Sequence, residues 1–321
     1  MGFVRQRRRR TAGPGPPHVG FGPAHRRAGR AAGARLPKPL HLLIAESEPE
    51  EARNERRGST GRSSGETYVD ALRALEPDAR FDLYRPHEPG GLPAALDDYD
   101  GVFLSGSPLH VYHDNHAVRA NVCFMRAVFD AGVPSFGSCA GLHIAVAAAG
   151  GTVRRNPDGH EVGLARRVAP TVEGARHPML EGRPASYDAP AVHGDEVETL
   201  PEGSVRLAGN SASPVQAAEI RHGAGTFWGV QYHPELPLGQ LAQAIRRQAG
   251  GLVKRGLARD EADVEAQAAL FESLGREPKR LDLAWRLGVD REVAEDERRT
   301  VELANTLRHL VRPVQARRGR G

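Results

Sequence analysis

Apolar positions along the chain fall first into short unbroken runs and later into helical spacing. LHLLIA, at residues 40–45, has the length and composition of a strand buried on both faces. GVFL at 101–104 and VPSFGS at 133–138 share that texture, and FDLYRP at 81–86 alternates like a strand. ETYVDALRAL, at 66–75, places Tyr68, Leu72 and Leu75 on one helical face, and residues 116–129 repeat the helical period. The intervening stretch 46–66 is rich in charge, Gly and Ser and reads as a loop. Another apolar helix, 139–149, follows directly on the strand at 133–138. Strands and helices alternating at these intervals predict an α/β fold, a doubly wound and mostly parallel sheet covered on both faces.

After Gly150–Gly151 the pattern changes to short β-like pieces separated by turns, and from Leu238 it is helical nearly to the end. Two stretches within 257–321 have amphipathic spacing but contain neither a phosphate-binding glycine loop nor a metal-like cluster. They read as a helical appendage that packs on the core or on a second copy of the chain. The expected organisation is a basic tail at 1–38, one α/β domain at 39–250 and a helical C-terminal extension at 251–321.

The charge is unevenly distributed. The chain of 321 residues has a formal net charge of +4. Its first 38 residues include RQRRRR and HRRAGRAAGAR without a single acidic group. A self-repelling segment with little to bury is expected to be disordered. The remainder is close to neutral or slightly acidic, which argues against nucleic acid as the main ligand. No apolar run approaches the roughly 20 residues that span a bilayer. Two cysteines cannot build a disulfide framework, so a cytoplasmic, reducing compartment is expected.

One of those cysteines occupies a special position. In GSCAG, Gly137 and Gly141 flank Cys139 where the strand turns into the helix. This is the form of a nucleophile elbow, which lifts a side chain into the crevice beyond the carboxyl ends of the strands. The helix N-terminus favours an anionic thiolate there. Cys123, within the apolar helix NVCFMRAVF, reads instead as a small core residue. A thiol nucleophile needs a base, and the base needs an orienting group. Among 14 histidines the best candidate is His233 in FWGVQYHPE, because Glu235 follows two residues later on the same side of an extended chain. The histidines of LHVYHDNH (His110, His113, His116) suit a binding loop better than a metal site.

Together GSCAG with its Ala-rich helix, FLSGSP at 103–108 and GVQYHPE resemble the class I (triad) glutamine amidotransferases, and within them the stand-alone GMP synthase-like members. The resemblance covers roughly residues 40–245. It implies a flavodoxin-like sheet and a catalytic triad of Cys139, His233 and Glu235. It implies an oxyanion hole formed by the N–H groups of Gly106 and Ala140. Substrate contacts would come from Gly106, Gly141, His143 and, in the HGDEV segment, Asp195. Family members often carry Gln where this chain has His143. NPDGHEVG, at 156–163, matches another segment bordering the glutamine pocket. No metal and no cofactor are required.

The implied reaction is hydrolysis of the glutamine side-chain amide through a cysteinyl γ-glutamyl thioester. Without an SGGxDS-like or P-loop motif in the chain, ammonia would pass to an acceptor enzyme acting in trans. A γ-glutamyl amide or peptide hydrolase with the same triad is the rival reading, since only the leaving group differs. A non-enzymatic scaffold is the third.

Overall fold

The computed structural model describes residues 38–92, 94–157 and 159–320, so the expected tail lies, except for Lys38, outside the described residues. The central sheet has nine strands in the order β2-β1-β3-β4-β11-β10-β9-β6-β7. Its parallel half is built from β1 (His41–Ala45), β2 (Arg80–Tyr84), β3 (Gly101–Leu104), β4 (Ser135–Ser138) and β11 (Gly225–Val230). Antiparallel neighbours extend it: β10 (Ala217–His222), β9 (Ser204–Gly209), β6 (Glu161–Pro170) and β7 (Tyr187–His193). A separate ribbon pairs β5 (Thr152–Arg155) with β8 (Asp195–Thr199).

Side-chain alternation explains the layering. On β1, Leu42 and Ile44 enter a core shared with Tyr68 and Leu72 of α2 (Ser64–Leu75), whereas Leu43 and Ala45 enter the opposite core. That second core holds Phe124, Met125 and Val128 of α3 (His116–Asp130) and Leu142 and Val146 of α4 (Ala140–Ala148). The 46–66 stretch is not a loop throughout, because Glu50–Thr60 forms α1. This helix has no apolar stripe to reveal it. Acidic residues in its first turn and Arg57 in its last favour its dipole, and buried Arg53 pairs with Glu88 at 2.5 Å. Cys123 is exposed, not a core residue: α3 buries Val118, Asn121, Phe124, Met125, Val128 and Phe129, and position 123 falls on the outer side.

The C-terminal helices pack on this domain, and residues 38–321 form one compact unit. Here α5 (Leu238–Arg247) and α6 (Glu261–Arg276) enclose a third core with Leu164 of β6. Further on, Leu303, Leu307 and Val311 fill the core beneath α2. Among the described residues no helix is long and apolar enough to cross a membrane.

Candidate active site

Because β1, β3, β4 and β11 run parallel, their carboxyl ends share one edge of the sheet, and the chain segments leaving them meet there. β4 ends at Ser138, and Cys139 makes the turn into α4 with φ +51° and ψ −111°. That left-handed backbone costs an L-residue about 1–3 kcal/mol, and cross-strand support holds it: the Cys139 N–H donates to Val230 O at 2.8 Å. The flanking glycines permit close approach. A Cβ on Gly137 would lie 2.9 Å from the Gly141 carbonyl carbon, and one on Gly141 only 2.6 Å from Leu104 O. Gly141 therefore seats α4 on β3.

His233 follows β11, and its N–H is tied to Pro190 O of β7 at 2.8 Å. Its Nδ1 donates to Glu235 Oε1 at 2.8 Å, which leaves Nε2 as the nitrogen available to the Cys139 thiol in the same cavity; the thiol itself lies 3.9 Å from Val192 O. Burial alone would pull the imidazole toward its neutral form. The Glu235 carboxylate and the contact with Cys139 overcome that and raise the pKa of His233 to about 10. The site therefore holds an imidazolium beside the sulfur. Gly106, in the turn after β3, abuts this ring, because a Cβ there would fall 2.6 Å from His233 Cε1. Ala140 is the first residue of α4, so its N–H is among those a helix start leaves without an intrahelical acceptor.

Behind the carboxylate runs a buried chain of donors that the amino-acid pattern does not announce. Tyr68 OH donates to Ser138 Oγ at 2.6 Å, and Ser138 Oγ donates to Glu235 Oε1 at 2.9 Å. Burial and the Glu235 charge hold the Tyr68 phenol well above its ordinary range, so it remains a donor. Tyr232, beside His233, is anchored from the C-terminal helices: its hydroxyl donates to Glu302 Oε1 at 2.7 Å, and Glu302 is itself paired with Arg183 at 2.7 Å. Only the residue type at 138 offered a signal, a hydroxyl next to the nucleophile. Tyr68, Glu302 and Arg183 are distant in sequence from the cysteine, and Tyr68 reads there as part of an apolar helical face.

The thiol and imidazole open into a cavity of about 760 Å³, within the range typical of ligand sites. His143 lines it, buried and bonded through Nε2 to Gln231 Oε1 at 2.8 Å. Burial, against the pull of that bond, lowers its pKa to about 4. It is thus a neutral polar group at the position where family members often carry a glutamine side chain. Asp195 also faces the cavity, with Oδ2 2.6 Å from His110 Nδ1 and Oδ1 accepting from Tyr112 at 3.1 Å. His193 braces this loop by bonding Glu161 Oε2 at 2.8 Å and the Asp195 carbonyl at 3.0 Å. His110, His113, Arg155 and His160 complete this end, while His116 opens α3. Among the described residues, no group of three or more His, Cys, Asp or Glu is placed to hold a metal ion.

The arrangement agrees with what the chain is similar to. Residues 63–249 match the family model described as glutamine amidotransferase class-I. The chain is 35% identical over 285 residues to a gamma-glutamyl-L-1-hydroxyisopropylamide hydrolase of a Pseudomonas species, covering 87% of this chain and 96% of that protein. It is 35% identical over 136 residues to the glutamine-hydrolyzing GMP synthase of Wolinella succinogenes, a match spanning 42% of this chain but only 25% of the synthase. In fold it is similar to a glutamine amidotransferase from Thermotoga maritima, with a TM-score of 0.61 at 16% identity over 85% of this chain and 99% of that one. An elbow cysteine, an acid-paired histidine and these likenesses lead to one conclusion: the chain belongs to the class I glutamine amidotransferase family and is an enzyme of the amidotransferase or hydrolase type.

Proposed function

We propose that the protein hydrolyses γ-glutamyl amides through a Cys139–His233–Glu235 triad and releases glutamate and a free amine. One observation carries this choice of leaving group. The cavity does not end at the thiol but continues past His233 between α1 and α5, far beyond what a departing ammonia occupies. The likeness to the Pseudomonas hydrolase supports it, because that likeness spans nearly the full length of both chains. The Wolinella match instead leaves more than half of this chain uncovered.

In this reading the Cys139 thiolate attacks the γ-carbonyl carbon. Charge gathers on the carbonyl oxygen, where the Gly106 and Ala140 N–H groups receive it. His233 Nε2 gives its proton to the amide nitrogen, the C–N bond breaks, and the amine departs from a γ-glutamyl thioester. His233, now neutral, takes a proton from water, and the resulting hydroxide attacks the thioester and expels the thiolate. Glutamate leaves and the imidazolium is restored. Glu235 orients and charges His233 throughout. Asp195 accepts the α-ammonium of the glutamyl group, and neutral His143 adds a hydrogen bond without a competing charge.

The second reading, a glutaminase serving an acceptor enzyme in trans, draws on the likeness to a glutamine-hydrolyzing GMP synthase component of Methanoculleus marisnigri, 37% identical over 138 residues. Purified protein incubated with glutamine and a panel of γ-glutamyl amides separates the two. Amine release with a larger kcat/KM than ammonia release is expected, and it should vanish in Cys139→Ala. A clear preference for glutamine would return the assignment to the glutaminase.

A further inference from the structure

The proton donor fixes which arm of the cavity receives which half of the substrate. The departing nitrogen must meet His233, and with the glutamyl group held by His143 and Asp195 the room left for the amine is the part of the cavity lined by α1 and α5. The glutamyl side lies toward His143 and Asp195. On the amine flank two arginines line the cavity, Arg56 of α1 and Arg247 of α5. Neither has an ion-pair partner among the described residues. Arg56 reaches only the Gln240 side-chain oxygen at 3.4 Å, and its Nε is buried without a hydrogen-bond partner. Arg247 bonds Ser59 Oγ at 2.6 Å, which ties α5 to α1. Glu48 and Glu55 line the same cavity and attract these arginines, but neither carboxylate comes within ion-pair distance of a guanidinium; Glu48 instead accepts the Ser64 N–H through Oε2 at 3.2 Å, and burial raises its pKa. Burial and the neighbouring Arg56 weigh against the charge on Arg247 more than Glu55 and Glu48 favour it.

Two half-buried guanidinium groups that face one cavity with no carboxylate bonded to either keep donors free for an anion to join. A carboxylate suits a guanidinium, which can bond both its oxygens. Building on the hydrolase reading, we infer that the cleaved amine carries a carboxylate, which Arg56 and Arg247 bind. The substrates are then γ-glutamyl derivatives of amino acids or similar anionic amines, and these two arginines set the specificity.

The test compares two substrates of nearly equal size that differ by one charge, γ-glutamylglycine and γ-glutamylglycinamide, on the full-length chain. The expected kcat/KM ratio favours the acid by at least about tenfold, as for a charge-assisted hydrogen bond. In Arg56→Gln and in Arg247→Gln the ratio should fall toward one, and raising the salt concentration should reduce it less than either substitution. Because both constants come from one preparation, the ratio does not depend on how much of a variant is folded. A wild-type ratio near one, or a preference that survives both substitutions, overturns the inference while leaving the hydrolase reading in place. Turnover of neither compound, with glutamine still hydrolysed, overturns both.

Discussion

Replacing Glu235 with Gln removes the negative charge whose Oε1 lies 2.8 Å from His233 Nδ1 while keeping a group of nearly the same shape. The imidazole is buried, so solvent screens this pair weakly. Two unit charges about 4 Å apart at an effective dielectric of about 20 attract by roughly 4 kcal/mol, which corresponds to roughly three pH units as an upper bound. The sign follows from which form gains. The carboxylate stabilises the imidazolium and helps hold its pKa up at about 10, so without it the ring loses its proton at lower pH. Since the proton on Nε2 is the one handed to the leaving amine, the alkaline limb of kcat/KM should move from near pH 10 toward neutrality. The assay is amine release from a γ-glutamyl amide over about pH 5–11, on wild type and variant. The same linkage bears on stability. His233 contributes stabilisation that is complete below its unfolded pKa and is lost as pH rises through about 10, and the variant should have lost most of that pH dependence. A Glu235→Gln profile that is merely lower, with its alkaline limb in the wild-type place, would refute the electrostatic role and leave Glu235 as a spacer.

Gly106→Ala should cost on the order of 100-fold or more in kcat, because its Cβ would fall 2.6 Å from His233 Cε1 and must push the ring off the thiol; an unchanged kcat would mean that the turn gives way freely. Ser138→Ala removes the donor to Glu235 Oε1 and should lower stability by about 1–3 kcal/mol, read by denaturant unfolding, with a larger effect than Tyr68→Phe, which leaves that donor in place. Cys139→Gly and Cys139→Ala should both be inactive, but the glycine variant should be the more stable by about 1–2 kcal/mol, since only glycine accepts φ +51° without strain; equal melting temperatures would argue against stored strain. A glutamine-analogue electrophile should label Cys139, while a simple alkylating agent should also reach exposed Cys123; analogue labelling confined to Cys123 would displace the nucleophile assignment.

Much of the parallel half was legible because three of its strands are short apolar runs and a fourth alternates, and both patterns are encoded by neighbours in the chain. LHLLIA, GVFL and VPSFGS became β1, β3 and β4 for that reason. The period-2 split of Leu42 and Ile44 from Leu43 and Ala45 then required helices on both faces. α1 was not legible, because a helix held by its charges rather than an apolar stripe leaves no periodic mark. Cys123 was misplaced because the helical period around it is read from its apolar neighbours, and a small residue between them can face either way.

What the sequence by itself determined is local: strands, helices, the glycine-flanked cysteine and the His–Glu pair, all spelled within a few residues of one another. The Tyr68–Ser138 chain behind Glu235 and the two arginines of α1 and α5 that line the cavity were decided only by the tertiary structure. The physical reason is that a parallel sheet gathers its strands' carboxyl ends from across the chain. Residues about 70 or more positions apart thereby come within a hydrogen bond, a proximity that no pattern of neighbours encodes.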